Sequence, residues 1–407
     1  MKICLLSYRA NPYSGGQGIY LKYVAEEMAR QGHQVHAVTG PPHPLRMKGV
    51  TLHALPNNCY YGRTGADVID GRNPFGIFAP LDFYEYCATR LGAFPEISTF
   101  SLRAFYFLRG LHASHGFDVI HDNQSLSYGL LLMKQLGVPV IATIHHPLSI
   151  DLANTLERAP SFKKKLKTVM FYPTMMQAFV SKRLDHVIAV SQSAKAMIRR
   201  DFGVPSSRVT VVYNGIDREI FRPLARVRKK RGKIIFVGNI EDGKKGFVYL
   251  LKALPRIDRS ARLTVVDGGA PHRNITGRLV ERLGLGGRVE FTGKTSTEEL
   301  VRHYSESEIA VVPSVYEGFG LPAAEAMSCG VPVIASDGGA LPEVVGDAGL
   351  VVKARDEAAI AASVNELLAD PKRLDELGRR GIERVEEHFN WKKAVGEMIQ
   401  VYKRFVK

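Results

Sequence analysis

The sequence predicts an α/β protein built from two doubly wound parallel sheets. Three observations carry this expectation. Short apolar runs alternate with helical stretches along most of the chain, which is the pattern of parallel strands joined by crossover helices. A basic run at 226–232 divides that alternation into two series. Finally, 407 residues at 45% hydrophobic content are enough for two cores, because single cores usually stop growing beyond about 250–300 residues.

The elements follow in order. An apolar strand at 3–7 meets the cluster Gly15-Gly16-Gln17-Gly18, which opens an amphipathic helix to about Arg30, and Gly32-His33-Gln34-Val35 leads into the next strand. Residues 58–100, rich in Gly, Pro and aromatics, are expected to be an irregular insertion. Strands are expected at 118–121, 138–144, 187–190 and 209–213, separated by helical stretches. The segment Arg226-Val227-Arg228-Lys229-Lys230-Arg231-Gly232 reads as an exposed connector, after which Lys233 starts a second series with strands at 234–238, 263–266, 289–291, 309–312, 333–335 and 349–352. The expected domains are 1–222 and 223–388, with 389–407 forming a final helix. Ligands bind at the carboxyl ends of parallel strands, so two such domains facing each other would leave a cleft between them.

Composition narrows the partners. A formal charge of +15 favours anionic surroundings such as nucleotide diphosphates, acidic lipid or nucleic acid, without choosing among them. Cysteines 4, 59, 87 and 329 have neither metal-site spacing nor the density of a disulfide scaffold, which points to four thiols in a reducing compartment. No basic-then-apolar export segment opens the sequence, and no apolar run approaches the roughly 18 residues of a membrane span. The expected location is the cytoplasm, with peripheral attachment to the inner membrane face as an extension.

The most informative stretch is Ser314-Val315-Tyr316-Glu317-Gly318-Phe319-Gly320-Leu321-Pro322-Ala323-Ala324-Glu325. The strand at 309–312 precedes it, and Pro322 suits the first turn of a helix, where its missing N–H costs nothing. Gly330 suits the left-handed residue after that helix. Gly318 and Gly320 let the backbone approach a ligand, while the first helical amides point outward as anion-binding donors. Glu325 is expected in the first helical turn, held ionised by the macrodipole and acting as a hydroxyl acceptor. Two acceptors flanking a bed of donors suit a nucleotide sugar, with hydroxyls at each end and diphosphate between.

This pattern resembles the E-x7-E signature of the retaining family 4 glycosyltransferases. Further matches are the glycine cluster at 15–18, Val140-Ile141-Ala142-Thr143-Ile144-His145, Asn214-Gly215-Ile216-Asp217, the strand and loop from Ile234 to Gly246, and Ser336-Asp337-Gly338-Gly339-Ala340-Leu341-Pro342-Glu343. The resemblance implies a GT-B fold of two Rossmann-like domains, the first binding acceptor and the second the nucleotide sugar, with the final helix crossing back to the first domain. It implies that Glu325 holds ribose hydroxyls, that Glu317 contacts the transferred sugar, and that Gly318 and the amides from Phe319 through Gly320 to Leu321 complete the donor site. By the same resemblance Gly15 and Gly16 approach the diphosphate or reacting sugar, Lys245 and Asn239 occupy the phosphate loop, and His145 makes polar contact with donor sugar and phosphate. Asn123 is a candidate for the acceptor side. Base recognition would fall near 288–292, with UDP the first expected nucleotide and GDP the second. No resident cofactor is expected.

Each candidate has a bland alternative. Glu317 and Glu325 would then be a solvated loop charge and a helix-start charge, the glycine cluster a tight strand-to-helix turn, and His145 a satisfied structural histidine. The phosphate loop also departs from the family pattern: Asn239 stands where an arginine is common, and Asp267 where glycine is common. Asn239 can still donate hydrogen bonds, and Lys244 and Arg273 are candidates to supply the missing cation.

The implied chemistry is hexosyl transfer to a hydroxyl with retention. Charge building on the leaving diphosphate is met by amides, Lys245 and a helix terminus rather than by a metal; no Asp-x-Asp motif lies in a suitable loop. A glycosidase would need a carboxyl acid of raised pKa, a role that an ionised Glu325 would not fill. Competing readings are a sugar-nucleotide epimerase or phosphorylase on the same fold, and a non-catalytic basic module for membrane or nucleic acid; no groove-reading or stacked-aromatic motif supports nucleic acid. The cluster Ser161-Phe162-Lys163-Lys164-Lys165-Leu166-Lys167 followed by apolar residues, and Arg103 to Arg109, mix cations with aromatics as bilayer-surface helices do. An anionic membrane and a lipid or lipid-linked acceptor are therefore expected partners, against the plainer reading of a solvated basic face.

Overall fold

The computed structural model describes residues 1–11, 16–44, 46–58, 79–267 and 275–406. The chain forms two compact units. One holds Met1–Val190, Ala194–Val212 and Val395–Lys407; the other holds Ser191–Ser193 and Tyr213–Ala394. Apart from the short excursion of Ser191–Ser193, the chain changes unit at 212/213 and at 394/395, compared with the sequence-based boundaries of 222/223 and 388/389.

The strands of the first unit are β1 (Lys2–Ser7), β2 (Gln34–Thr39), β3 (Val50–Ala54), β4 (Val119–Asn123), β5 (Val140–Ile144), β6 (His186–Ala189) and β7 (Val209–Val211), in the spatial order β3-β2-β1-β4-β5-β6-β7. Each described pairing is parallel. β4 and β5 are buried on both faces, which is why β5 reads as a nearly continuous apolar run rather than as an alternating pattern, whereas β4 ends in the buried polar residues His121, Asp122 and Asn123. The strand order reverses between β1 and β4, and that reversal opens a crevice at their carboxyl ends.

The second unit contains β8 (Lys233–Val237), β9 (Arg262–Val266), β10 (Val289–Gly293), β11 (Ile309–Val312), β12 (Val333–Ser336) and β13 (Gly349–Val352), ordered β10-β9-β8-β11-β12-β13 and parallel. Its core packs Ile234 and Phe236 of β8 and Leu263 and Val265 of β9 against Phe247 and Leu250 of the helix Phe247–Ala253. Here the order reverses between β8 and β11, so the loops after those two strands border the crevice.

Two expectations change. Residues 80–100 are largely helical, in Pro80–Arg90 and the start of Glu96–His115; residues 59–78 of the expected insertion lie outside the described residues. The aromatic content hid a charge pairing that joins these helices, in which Arg103 bonds Asp82 at 2.5 Å and the buried Glu85 at 2.8 Å. The basic connector is exposed but anchored: Lys230 and Lys233 share Glu306 at 2.9 and 2.8 Å, and Lys229 donates to the Gly330 carbonyl.

From Val395 onward the helix Trp391–Lys403 belongs to the first unit. Its Tyr402 hydroxyl meets His121 Nδ1 in the core, His121 Nε2 meets Thr143 Oγ1 at 2.8 Å, and Thr143 meets the Tyr20 hydroxyl at 2.9 Å. The chain of polar groups satisfies side chains that would otherwise be stranded under the sheet. Among the described residues Cys4, Cys87 and Cys329 are free thiols, and no helix is long and apolar enough to cross a membrane.

Candidate active site

In the second unit, the loops after β8 and β11 bring several of the expected donor residues together. After β8, Asn239 is exposed and its Oδ1 accepts the Glu241 amide at 2.9 Å; Asp242 then caps the Lys244 amide at 3.0 Å. These local bonds shape the loop that ends in Lys245 and the left-handed Gly246. Lys245 Nζ donates to Glu317 Oε1 at 2.8 Å, and Ser314 Oγ donates to the same oxygen at 2.8 Å. Among the described residues Glu317 Oε2 has no partner. One oxygen is therefore pinned and the other is open to a hydroxyl.

The loop beyond Glu317 is built to keep its donors outward. Ser191 Oγ donates to the Gly318 carbonyl at 2.6 Å, and the Ala340 amide donates to the Glu317 carbonyl at 2.9 Å. Gly320 has φ +103°, and a Cβ there would lie 2.7 Å from Leu341 Cδ2. The left-handed conformation calls for glycine, and a Cβ would also have to push the Leu341 methyl aside. Among the described residues the amides of Phe319, Gly320 and Leu321 meet no acceptor, as befits the start of the helix Leu321–Ser328. Phe319 itself is buried, so its contribution to a ligand would come from its backbone.

Glu325 corrects the sequence expectation. It lies in the second turn of that helix rather than the first, so the helix start does little for it. Burial raises its pKa to about 7, against the lowering effects of a bond from Tyr304 and the charge of Lys245. Tyr304 donates to Glu325 Oε2 at 3.1 Å, which leaves Oε1 without a partner among the described residues. Each glutamate of the motif thus has one occupied and one open oxygen.

The first unit assembles a separate polar cluster at the β1/β4 reversal. Asn123 Nδ2 donates to the Gln17 carbonyl at 2.9 Å and to Ser7 Oγ at 3.2 Å, while Asn123 Oδ1 stands 2.8 Å from His145 Nε2. A backbone carbonyl can only accept, so the amide orientation follows, and His145 must carry its proton on Nε2. Burial, with help from His146 and His121, lowers the His145 pKa to about 3, making it neutral at physiological pH. Gln124 fixes the histidine loop through the His145 amide at 2.5 Å and the His146 carbonyl at 2.7 Å, from a backbone with φ +57°. Such strain is tolerated where the surroundings over-determine it. Gly16 starts the helix Gly16–Arg30 beside this cluster, whereas Gly15 and Arg273 lie outside the described residues.

Sequence reasoning missed Tyr304, Ser191 and Gln124, which lie outside the motif they serve. Glu343 sat inside a recognised segment without a role. Its carboxylate accepts the Gln192 and Ser193 amides at 2.9 Å each and the Tyr213 hydroxyl at 3.0 Å. No sequence spacing announces these partners.

The family model for glycosyltransferase family 4 matches residues 14–220, and that for glycosyl transferases group 1 matches residues 217–384. The chain is 35% identical to an MMP alpha-(1->4)-mannosyltransferase from Mycolicibacterium hassiacum, covering all of this chain and 98% of that one. It is 30% identical to O-antigen chain mannosyltransferase B from Escherichia coli over 64% of this chain and 74% of the relative. Among solved structures, sucrose-phosphate synthase from Thermosynechococcus elongatus superposes with a TM-score of 0.74 at 27% identity, covering 99% of this chain and 98% of that one. The Anabaena protein HepE, solved with UDP and glucose, shares the fold at a TM-score of 0.72 and 17% identity, covering 99% of this chain and all of that one. The chain belongs to the family 4 glycosyltransferases of GT-B fold, and it is an enzyme of glycosyl transfer.

Proposed function

We propose that this enzyme moves a mannosyl-type hexose from a nucleoside-diphosphate sugar to a hydroxyl acceptor with retention of configuration. The observation that carries the proposal is the Lys245–Glu317 contact beside the open amides of 319–321. A cation, unfilled amide donors and two carboxylates with open oxygens match the rims and middle of an activated sugar. Glu325 takes ribose hydroxyls, Glu317 a hydroxyl of the transferred sugar, and Lys245 the diphosphate. Asn239, held in its own turn, offers its amide hydrogens there in place of arginine. His145, neutral with a bare Nδ1, accepts a sugar hydroxyl, and Asn123 holds it in place near the acceptor; Gly16 provides close backbone approach.

The bond from C1 to the phosphate oxygen breaks as C1 bonds the acceptor oxygen on the same face, and the acceptor's proton passes to the departing phosphate. Lys245, the amides and the helix start take the developing charge, so no metal is assigned to the step. The mannosyl assignment is carried over from the relatives; UDP and GDP are the candidate nucleotides. Thermal protection by a panel of UDP-, GDP- and ADP-hexoses, followed by mass and anomeric analysis of products, tests the reading. Protection by none of them, or an inverted product, defeats it. Turnover of the donor without acceptor would favour an epimerase, and strict dependence on phosphate a phosphorylase.

A second partner, an anionic membrane, is favoured by the helix Phe162–Phe171, none of whose residues is buried. Phe162, Leu166 and Met170 recur at helical spacing with 82%, 53% and 47% exposure, beside exposed Lys163, Lys164, Lys165 and Lys167. Apolar and cationic groups exposed together on one helix suit the headgroup boundary. On this reading the acceptor is a lipid or lipid-linked glycan. Co-sedimentation with phosphatidylglycerol vesicles should weaken on charge reversal at 163–165 and in high salt; indifference to both rules it out.

A further inference from the structure

We propose that Tyr304 is a positioning residue for donor binding: its hydroxyl, delivered from the helix Thr297–Ser305, holds one oxygen of Glu325 and leaves the other to accept a ribose hydroxyl. The inference rests on the reading of Glu325 as a donor ligand.

Tyr304 is among the largest fully buried side chains of the chain, 1% exposed, and its ring packs edge-on to Phe221 at 6.5 Å. A buried phenol must place its hydrogen. Here the single proton is offered to Glu325 Oε2 at 3.1 Å and to the Pro322 carbonyl at 3.3 Å. Pro322 lies in the first turn of the helix that carries Glu325. One hydroxyl therefore ties down both the helix start and its functional carboxylate, holding Oε2 and leaving Oε1 without a partner among the described residues.

The groups that lower the Glu325 pKa against burial are Tyr304 and Lys245, and Glu325 in turn raises the thiol of Cys329 just past the end of its own helix. Tyr304 and Lys245 stabilise the carboxylate against burial. A protonated Glu325 would present a donor where an acceptor is required, so the Tyr304 hydroxyl also extends the pH range over which the site works.

The test uses the full-length enzyme with Tyr304→Phe, Glu325→Gln and the wild type, and with UDP-glucose or GDP-mannose, whichever the wild type turns over. Donor KM and kcat are measured from pH 6 to 8.5. Tyr304→Phe keeps the ring packing. It is expected to raise donor KM about tenfold at pH 7.5 while changing kcat less than about twofold, and to move the inflection of KM to more alkaline pH. Glu325→Gln should raise KM and abolish the inflection. If Glu325→Gln weakens donor binding but Tyr304→Phe matches wild type, the positioning role is wrong and the donor reading stands. A fall in kcat and melting temperature for Tyr304→Phe with an unmoved inflection would make Tyr304 merely structural and overturn the proposal. If Glu325→Gln leaves KM unchanged, the donor reading itself fails.

Discussion

Lys245 and Glu317 stand in direct ionic contact, 2.8 Å from Nζ to Oε1, although 72 residues separate them in the chain. The two loops that carry them follow β8 and β11, neighbouring strands at the point where the order of the second sheet reverses. A residue expected on diphosphate and a residue expected on sugar thus bond each other. On the proposed donor reading, binding would draw the lysine towards phosphate, and Ser314, on the same carboxylate oxygen, would keep its hold on Glu317.

Replacing Lys245 by methionine should lower kcat/KM by about 10- to 100-fold, the range for losing a charge-assisted hydrogen bond of about 1.5–3 kcal/mol. Arginine at this position should restore part of the loss. Steady-state kinetics with varied donor decide the matter, and an unchanged kcat/KM in the methionine variant would remove Lys245 from the machinery.

Ser314→Ala removes the second donor to Glu317 Oε1. The expected cost is about 1 kcal/mol, seen as a roughly fivefold drop in kcat with donor affinity nearly retained. Equal rates for variant and wild type would show that the lysine alone orients the glutamate.

Gly339 has φ +67°, and a Cβ on it would collide with the carbonyl oxygen of Glu317. Gly339→Ala should therefore displace the Glu317 loop, cost about 1–3 kcal/mol of stability, and abolish transfer more completely than that loss of stability explains. Urea unfolding paired with single-turnover rates separates the two effects. Full activity in a folded variant would contradict the packing.

The first unit should lose stability as pH falls from 6.5. Burial lowers the pKa of His121 and His145 to about 3 and of His186 to about 4, so these rings are neutral in the fold but bind protons when unfolded. Their contribution is complete above 6.5 and declines as pH falls towards the folded values. Asp122 opposes them, because burial raises its pKa to about 6 and the folded state takes up a proton first. Burial also lowers the pKa of His33, His36, His43 and His53 in the same unit, so the histidines outweigh Asp122 and stability should fall as pH drops from 6.5 towards 5. Urea midpoints at pH 7.5 and 5 that coincide would refute the assignment.

Most strands, the two parallel sheets, the Glu317 to Glu325 motif and the left-handed Gly330 were legible in local pattern, because burial on both faces and the turn chemistry of Gly and Pro leave marks within a few residues; the edge strand Val50–Ala54 and the helix Pro80–Arg90 were not. What the linear chain could not disclose is contact across distance. The expectation that Glu325 is ionised rested on its nearness to a helix start. The tertiary structure overrode it, since burial acts on a carboxylate through everything packed around it. Tyr304, Ser191 and Gln124 escaped notice for the same reason: their value lies in the group that each hydroxyl or amide reaches after folding. Local sequence determines which elements form and where they begin, and packing alone decides which charges are desolvated and which oxygens remain open to a ligand.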